Sequence, residues 1–469
     1  MADRFRLISA LLLLVLGLSA CLPQPLLPNS PTPTPTALQP GPTRSPTPLP
    51  PPTQTPQVVT ATPAAWLRPA QELRGQVVQF WHPWSGAAAE QARSLVVEFN
   101  NTNPWGITVE VQQPGSSAAL SEAFESGPVV DVVAAAPSLL YRWQAEGMPI
   151  VNLNTYLPDA EWGLSAAQLA DLTPAFWQET ATATGQWGVP APRRARVLYY
   201  NQTWGTALGF PNPPRNPKEF RNIACASARS LRLDSDLQND GFGGWVLDGD
   251  ANTLLAWLWA FDWQGMPGDE NQPYQFETQP AQAALEFWRT LLDENCAWTT
   301  RSITAQQAFA NRQAILISGE LEDLNLQAHL MTRAANQDVW VVLPFPTQQQ
   351  DTLLLTYGES YALFASDPAR QLAAWAFLRW MAEAPQQARL AQAALWLPPQ
   401  ASAWEALNAP RSAQPAWAVL QGSPQTVRPV PSLPSWRIVQ HVLEDAAWQL
   451  RQPYSGCRKS PPCCSNWMP

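Results

Sequence analysis

Between Leu22 and about Ala65 the chain is an almost unbroken Pro/Thr/Ser tract, PQPLLPNSPTPTPTALQPGPTRSPTPLPPPTQTP, and no other feature restricts its folding as much. Proline fixes φ and lacks an amide donor, so neither a helix interior nor a central strand can form there. With few large apolar side chains to bury, the tract is left with extended polyproline II, a semi-rigid spacer rising about 3.1 Å per residue. The competing reading is a docking site for proline-recognising domains. A stalk explains the tract better, because of what stands in front of it.

Arg4 and Arg6 precede an uncharged apolar core from Leu7 to Leu18, and Leu18-Ser19-Ala20-Cys21 closes it. That core is too short to span a bilayer as a helix, which needs roughly 20 residues. The pattern reads as a bacterial lipobox: residues 1–20 are a signal peptide and Cys21 becomes the acylated residue. Each buried methylene of the acyl chains contributes about 0.8 kcal/mol, and two or more chains make the anchoring stable. The expected location is therefore extracytoplasmic, anchored to the cell membrane through lipid, with a stalk over residues 21–70.

The remainder is long enough for two domains or lobes. A formal net charge of -9 and a pI near 5.0 argue against a nucleic-acid partner, since phosphate binding needs concentrated Lys and Arg. Only 14% of residues are charged, while tryptophan reaches 24. Aromatic faces suit the apolar faces of pyranose rings, although large aromatics also dominate cores. Outside the reducing cytoplasm, Cys225 and Cys296 are the expected disulfide pair. Cys457, Cys463 and Cys464 crowd into a tail, residues 454–469, that shows no apolar period.

His82, His329 and His441 lie far apart and without ligand-spaced neighbours, so no metal site is expected. Neither a phosphate-cradling glycine loop nor a nucleophile elbow occurs. Asp248, Asp250, Glu320, Glu322 and Asp323 could supply a glycosidase pair, but solvated carboxylates are the commoner case. The expectation is a protein that is not an enzyme and has no cofactor.

From Gly75 onward strand and helix patterns alternate, as in a mostly parallel sheet covered by helices. Gln76–Trp81 reads as a strand. In Glu90–Phe99, Ala92, Leu95, Val96 and Phe99 share a helix face, and Asn103-Pro104 ends the helix. Ile107, Val109 and Val111 alternate as a strand, and Val129–Ala136 is apolar enough for one covered on both faces. Further strands are expected at Ala195–Tyr200, Gln313–Ile317 and Val339–Phe345. Helices follow at Ala281–Leu292, with Ala284, Phe287, Trp288 and Leu291 on one face, and near the C-terminus, with Val439, Val442, Leu443, Ala446 and Leu450 inward.

These phrases resemble a known family. FWHPWSG, with a helix ending in EFN and then NPWGITVEV, is similar to the first strand, helix and second strand of the extracellular solute-binding proteins of ABC importers, in the maltose-receptor branch. VVDVVAAAPSLLYRWQAEGMPIVNL, GQWGVPAPRRARVLYYNQTW with ALGFPNPPRNPKEF, GESYALFASDPARQLAAWAFLRWM and VRPVPSLPSWRIVQHVLEDAAW follow in the family's order, covering roughly Gly75 to Pro453. The resemblance implies an α/β, two-lobed periplasmic-binding-protein (type II) fold, each lobe a mixed sheet flanked by helices and joined by hinge crossovers. Lobe I would hold 71–190 and 358–398, lobe II 191–357 and 399–453. The crossings would fall near Val189 to Arg194, Thr356 to Glu359 and Leu397 to Gln400. The tail after Pro453 departs from the family and reads as a shifted frame or a replaced terminus.

By the same resemblance, ligand contacts are expected in the first lobe from His82, Trp84, Ser85, Pro137 and Ser138. The second supplies Asp248, Asp250, Asn252, Gly319, Glu320 and Trp436, with Trp436 as the stacking aromatic. Arg194 stands where the maltose receptor has a carboxylate, so the same sugar does not follow. Ordinary packing competes for Trp84 and Trp436, a solvated turn for Asp248 and Asp250, and a carboxylate across the hinge for Arg194. The implied function is capture of a carbohydrate by lobe closure and its delivery to ABC permease transmembrane subunits, by a monomer. Alternatives are another small solute such as glycerol phosphate or a polyamine, a surface glycoside-acting enzyme, and an adhesion or sensor subunit.

Overall fold

The computed structural model of the protein describes residues 68–127, 129–407 and 425–452. The signal segment, Cys21, the stalk up to Leu67 and the tail cysteines lie outside the described residues. The strands, in chain order, are β1 (Val77–Trp81), β2 (Thr108–Gln112), β3 (Val132–Ala135), β4 (Ala181–Thr182), β5 (Gly185–Gln186), β6 (Val189–Asn201) and β7 (Trp245–Val246). They continue as β8 (Ala297–Trp298), β9 (Leu316–Glu320), β10 (Trp340–Leu343), β11 (Phe345–Pro346), β12 (Thr352–Leu363) and β13 (Gln425–Pro429). Apart from the β4–β5 ribbon they join one sheet, β2-β1-β3-β12-β6-β9-β7-β8, with β10 on β6 and both β11 and β13 on β12.

Local chemistry builds the first lobe much as its sequence indicates. The helix Gly86–Thr102 carries β1 over to the parallel β2 and buries Ala92, Leu95, Val96 and Phe99. Asn103 ends it: its amide donates to the carbonyls of Phe99 and Ile107, each at 2.9 Å, and its oxygen accepts from the Ile107 N–H. Pro104 then blocks continuation. Val78, Phe80 and Phe99 pack with Trp375 and Phe377 of the late helix Pro368–Met381, so this core closes only when the chain returns.

The second lobe packs the helices Pro217–Arg232, Ala251–Ala260, Gln279–Asp293 and Trp436–Leu450 around Trp245, Trp257, Trp263 and Trp288. Every residue of Ala251–Ala260 is buried, as expected of a helix without a polar face. Each such aromatic contributes roughly 3 kcal/mol of burial. Trp84, Trp143, Trp375 and Trp436 are equally enclosed, so much of the tryptophan surplus is core material rather than binding surface. The disulfide is Cys225–Cys296, joining the helix Pro217–Arg232 to the start of β8.

What joins the lobes is a pair of long strands. β3 pairs with the end of β12, Ala135 against Ser360, whereas β9 pairs with the later part of β6, Glu320 against Arg196. Between these, β6 and β12 pair with each other, Arg194 with Tyr357 and Arg193 with Gly358, and the register shifts between Gly358 and Ser360. Pro190 and Pro192 sit within β6, where a missing N–H is tolerated because the ladder is already broken. Leu397 and Arg193 exchange both backbone hydrogen bonds, at 2.8 and 2.7 Å. The backbone at Arg193–Arg194, Tyr357–Gly358 and Leu397 therefore lies side by side. The helix Ala384–Ala394 spans the junction, with Leu390 in the first lobe's core and Ala388 and Ala391 in a cluster of the second.

Several extents differ from expectation. β6 begins at Val189 rather than Ala195, because the proline-bearing stretch is also extended. β3 is shorter than Val129–Ala136, β9 lies later than Gln313–Ile317, and Pro344 divides Val339–Phe345 into β10 and β11. In the last helix Val442 faces solvent, and Trp436, Val439, Leu443 and Ala447 turn inward. Among the described residues no helix is long and apolar enough to cross a membrane.

Candidate functional site

Strand direction decides where a site can form. β3 runs toward the β6–β12 crossing and ends there, while β9, antiparallel to β6, arrives at the same crossing from the opposite side. β1 is parallel to β3, and β7 to β9. The carboxyl ends of strands from both lobes thus converge on one line, the usual ligand position in open α/β sheets.

On the first lobe the end of β1 leads into His82, Trp84 and Ser85. His82 is fully buried and stacked on Trp84 at 4.9 Å, with no partner for either ring nitrogen. Burial first, and then the Arg93 charge, push its pKa down to about 4, so the imidazole is neutral at physiological pH. Trp84 is also enclosed, and its indole N–H donates to the Glu359 carboxylate at 2.9 Å. Ser85 is exposed at the N-terminus of Gly86–Thr102, its hydroxyl not used as a cap. Pro137 and Ser138 open the helix that follows β3, Pro137 buried and Ser138 half-buried.

On the second lobe the organising group is Arg196, which the sequence reading passed over. Its guanidinium reaches Glu320 at 2.7 Å, Asp248 at 2.5 Å and the Thr253 hydroxyl at 2.8 Å. Asp248 follows β7 and Glu320 ends β9, so strand geometry brings them to one cation. Burial pushes Glu320 up to about 7, Arg196 pulling it back only in part, and Asp248 is raised for the same reason. Asp250 serves the fold instead, capping Ala251–Ala260 by accepting from the N–H groups of Asn252 and Thr253. Asn252 is buried with its side-chain oxygen unpartnered. Gly319 gives the Tyr199 ring room, since a Cβ there would lie 3.0 Å from it, and the Tyr199 hydroxyl donates to the Glu320 carbonyl at 2.6 Å.

Arg194 connects the halves. It pairs with Glu322 at 3.4 Å and lies over the rings of Trp396 (4.9 Å) and Tyr357 (6.0 Å). Burial works against its charge, but Glu359, Glu322, Tyr357 and Glu320 outweigh that and raise its pKa. Trp396 donates its indole N–H to Glu322 and meets Trp84 edge-on at 6.0 Å, linking the lobes through one ring.

Two of the expected contact residues are covered by protein in this conformation. Trp436 is 2% exposed and packs in the second lobe's core with Tyr274, because its helix lies on Ala251–Ala260; it presents no free face in this conformation. Trp84 likewise has its faces covered by His82 and neighbouring rings. Arg196, Tyr357, Glu359 and Trp396 were missed; the available signal was an arginine inside the apolar strand ARVLYY. Cavities of about 320 Å³, beside Asp131 and Arg370, and about 460 Å³, beside Asp159 and Arg379, lie on the first lobe, and neither is lined by the hinge residues.

A model of the bacterial extracellular solute-binding protein family matches residues 94–416. The chain belongs to that family. Solved solute-binding proteins share the fold: the sugar-binding protein MalE of Xanthomonas citri (20% identity, TM-score 0.66, covering 80% of this chain and 95% of its own), and the cyclic alpha-maltosyl-1,6-maltose binding protein of Arthrobacter globiformis (18%, 0.63, 80% and 94%). A third is UgpB of Mycobacterium tuberculosis, in complex with glycerophosphocholine (18%, 0.60, 80% and 94%). A comparison with curated proteins finds no match.

Proposed function

We propose that this solute-binding protein is a lipid-anchored receptor that captures a carbohydrate between its lobes and delivers it to an ABC permease as a monomer. Cys21 would be the acylated anchor and the proline tract the stalk. The lobes would divide at 71–190 with 358–398 and 191–357 with 399–453. The observation that carries the reading is the convergence of strand ends from both lobes on a wall of hydrogen-bonding groups and aromatic rings around Arg194 and Arg196. Such a wall suits the hydroxyls and apolar faces of a sugar and contains nothing arranged as a nucleophile. The contacts we assign to the solute are Ser85, Ser138, Arg194, Asp248, Asn252 and Glu320. Solute entry requires the lobes to part and the Arg194–Trp396 contact to yield, so binding shifts an open and closed equilibrium by its differential affinity.

A second reading, an amine-bearing solute such as a polyamine, is favoured by charge. Asp248, Asp250, Glu320, Glu322 and Glu359 stand against Arg194 and Arg196, which disfavours an anionic guest such as glycerol phosphate. Titrating tryptophan fluorescence with maltodextrins, monosaccharides, spermidine and glycerol phosphate separates these. Saturable change with a sugar is expected; a response to spermidine alone would replace the carbohydrate reading, and a response to none would remove both.

A further inference from the structure

We propose that Arg193 is the positioning residue of the hinge: its buried guanidinium ties β6 to β12 while its backbone ties β6 to Leu397, so that the three interlobe crossings are held in register through one residue. Its side chain is fully buried. On its own strand it donates to the Ala191 carbonyl at 2.8 Å. On β12 it donates to the Glu359 carbonyl and to the Ser360 hydroxyl, the latter at 2.9 Å. The third crossing is tied to its backbone through Leu397, and Glu179, itself 6% exposed, supplies the countercharge at 3.0 Å. The guanidinium also lies 5.5 Å from the Phe176 ring centre.

This arrangement sits where the ladder is weakest. Pro190 and Pro192 remove amide donors from β6, and the register slips between Gly358 and Ser360, so the backbone ladder is interrupted where the guanidinium sits. Gly358 makes room for the arginine, since a Cβ would stand 3.1 Å from Arg193 Cδ and 3.2 Å from the Pro192 carbonyl. Glu359 transmits the placement. Its carbonyl is held by Arg193 while its carboxylate accepts from Trp84, so seating the guanidinium also sets the residue that meets the first lobe's aromatic wall. Lysine cannot replace it, because one ammonium cannot span acceptors on two strands and a countercharge together.

The proposal rests on the reading of this protein as a hinge-closing receptor, but its test needs no solute. Amide hydrogen exchange on the full-length protein would compare wild type with Arg193→Gln and Arg193→Lys. Exchange in 189–196, 356–361 and 395–400 is expected to quicken together, tenfold or more in Arg193→Gln and less in Arg193→Lys. Segments 77–81 and 368–381 should be unchanged. A uniform rise across the protein, or loosening of the 189–196 strand alone, would overturn it. Should Arg193→Gln not fold, Ser360→Ala and Glu179→Gln each remove one contact. Each is expected to loosen all three segments about threefold, and loosening confined to its own segment overturns the proposal. Failure to find any solute would sink the receptor reading while leaving the exchange pattern as it stands.

Discussion

Arg193 and Arg196 are neighbours on the same strand, yet their surroundings differ in kind. Arg193 has one carboxylate and a set of carbonyl and hydroxyl acceptors, all buried, so its charge is matched and its donors are used. Arg196 has two carboxylates at bonding distance and Asp250 close enough to act on it, a surplus of acidic groups over one cation; burial raises the carboxyls at both centres, Glu179 as well as Asp248 and Glu320. A saturated ion of the first sort has one alignment and suits a hinge. A surplus of acceptors of the second sort can trade a proton or a hydrogen bond with a visitor.

The sharpest test of this contrast is stability. Arg193→Met leaves Glu179 buried and unpaired and is expected to cost about 3–5 kcal/mol in urea denaturation. Arg196→Met should cost less, about 1–3 kcal/mol, because Glu320 and Asp248 are partly exposed and can take up protons. A larger loss for Arg196→Met would break the comparison. The next largest effect is in pH. Glu320's folded pKa, near 7, lies above its ordinary 4.5, so the folded state holds that proton more tightly. The contribution is full below pH 4.5 and fades as pH rises through 7, up to about 3 kcal/mol. Glu320→Gln should flatten that slope, and an unchanged slope would assign it elsewhere.

Trp84→Phe keeps an aromatic ring, a smaller one, but removes the donor to Glu359, and a cost of about 1–3 kcal/mol is expected in the same assay. The smallest effect is that of Gly358→Ala, which crowds Arg193 and not Arg196. About 1 kcal/mol should be lost with the pH slope intact, and a changed slope would mean the two centres are coupled.

Much of the fold was legible because its signals are local. The face of Gly86–Thr102 and its Asn103-Pro104 stop follow from short stretches. Most of the site was less legible, since its bonds join residues far apart in the chain: Arg196 with Glu320, Trp84 with Glu359, Trp396 with Glu322. Composition could not separate roles. A tryptophan surplus reads alike for sugar platforms and for the packed rings of Trp245, Trp257 and Trp288. Trp436 shows the same limit, its place at a helix start being clear and the direction of its ring not.

The pairing of early with late residues also bears on how the molecule is made. Phe80 finds its partner in Phe377, and β3 finds its neighbour in β12. A nascent chain emerging from its amino end therefore cannot complete its first core until most of its length has been synthesised. Premature termination anywhere before that late helix therefore costs both halves rather than one.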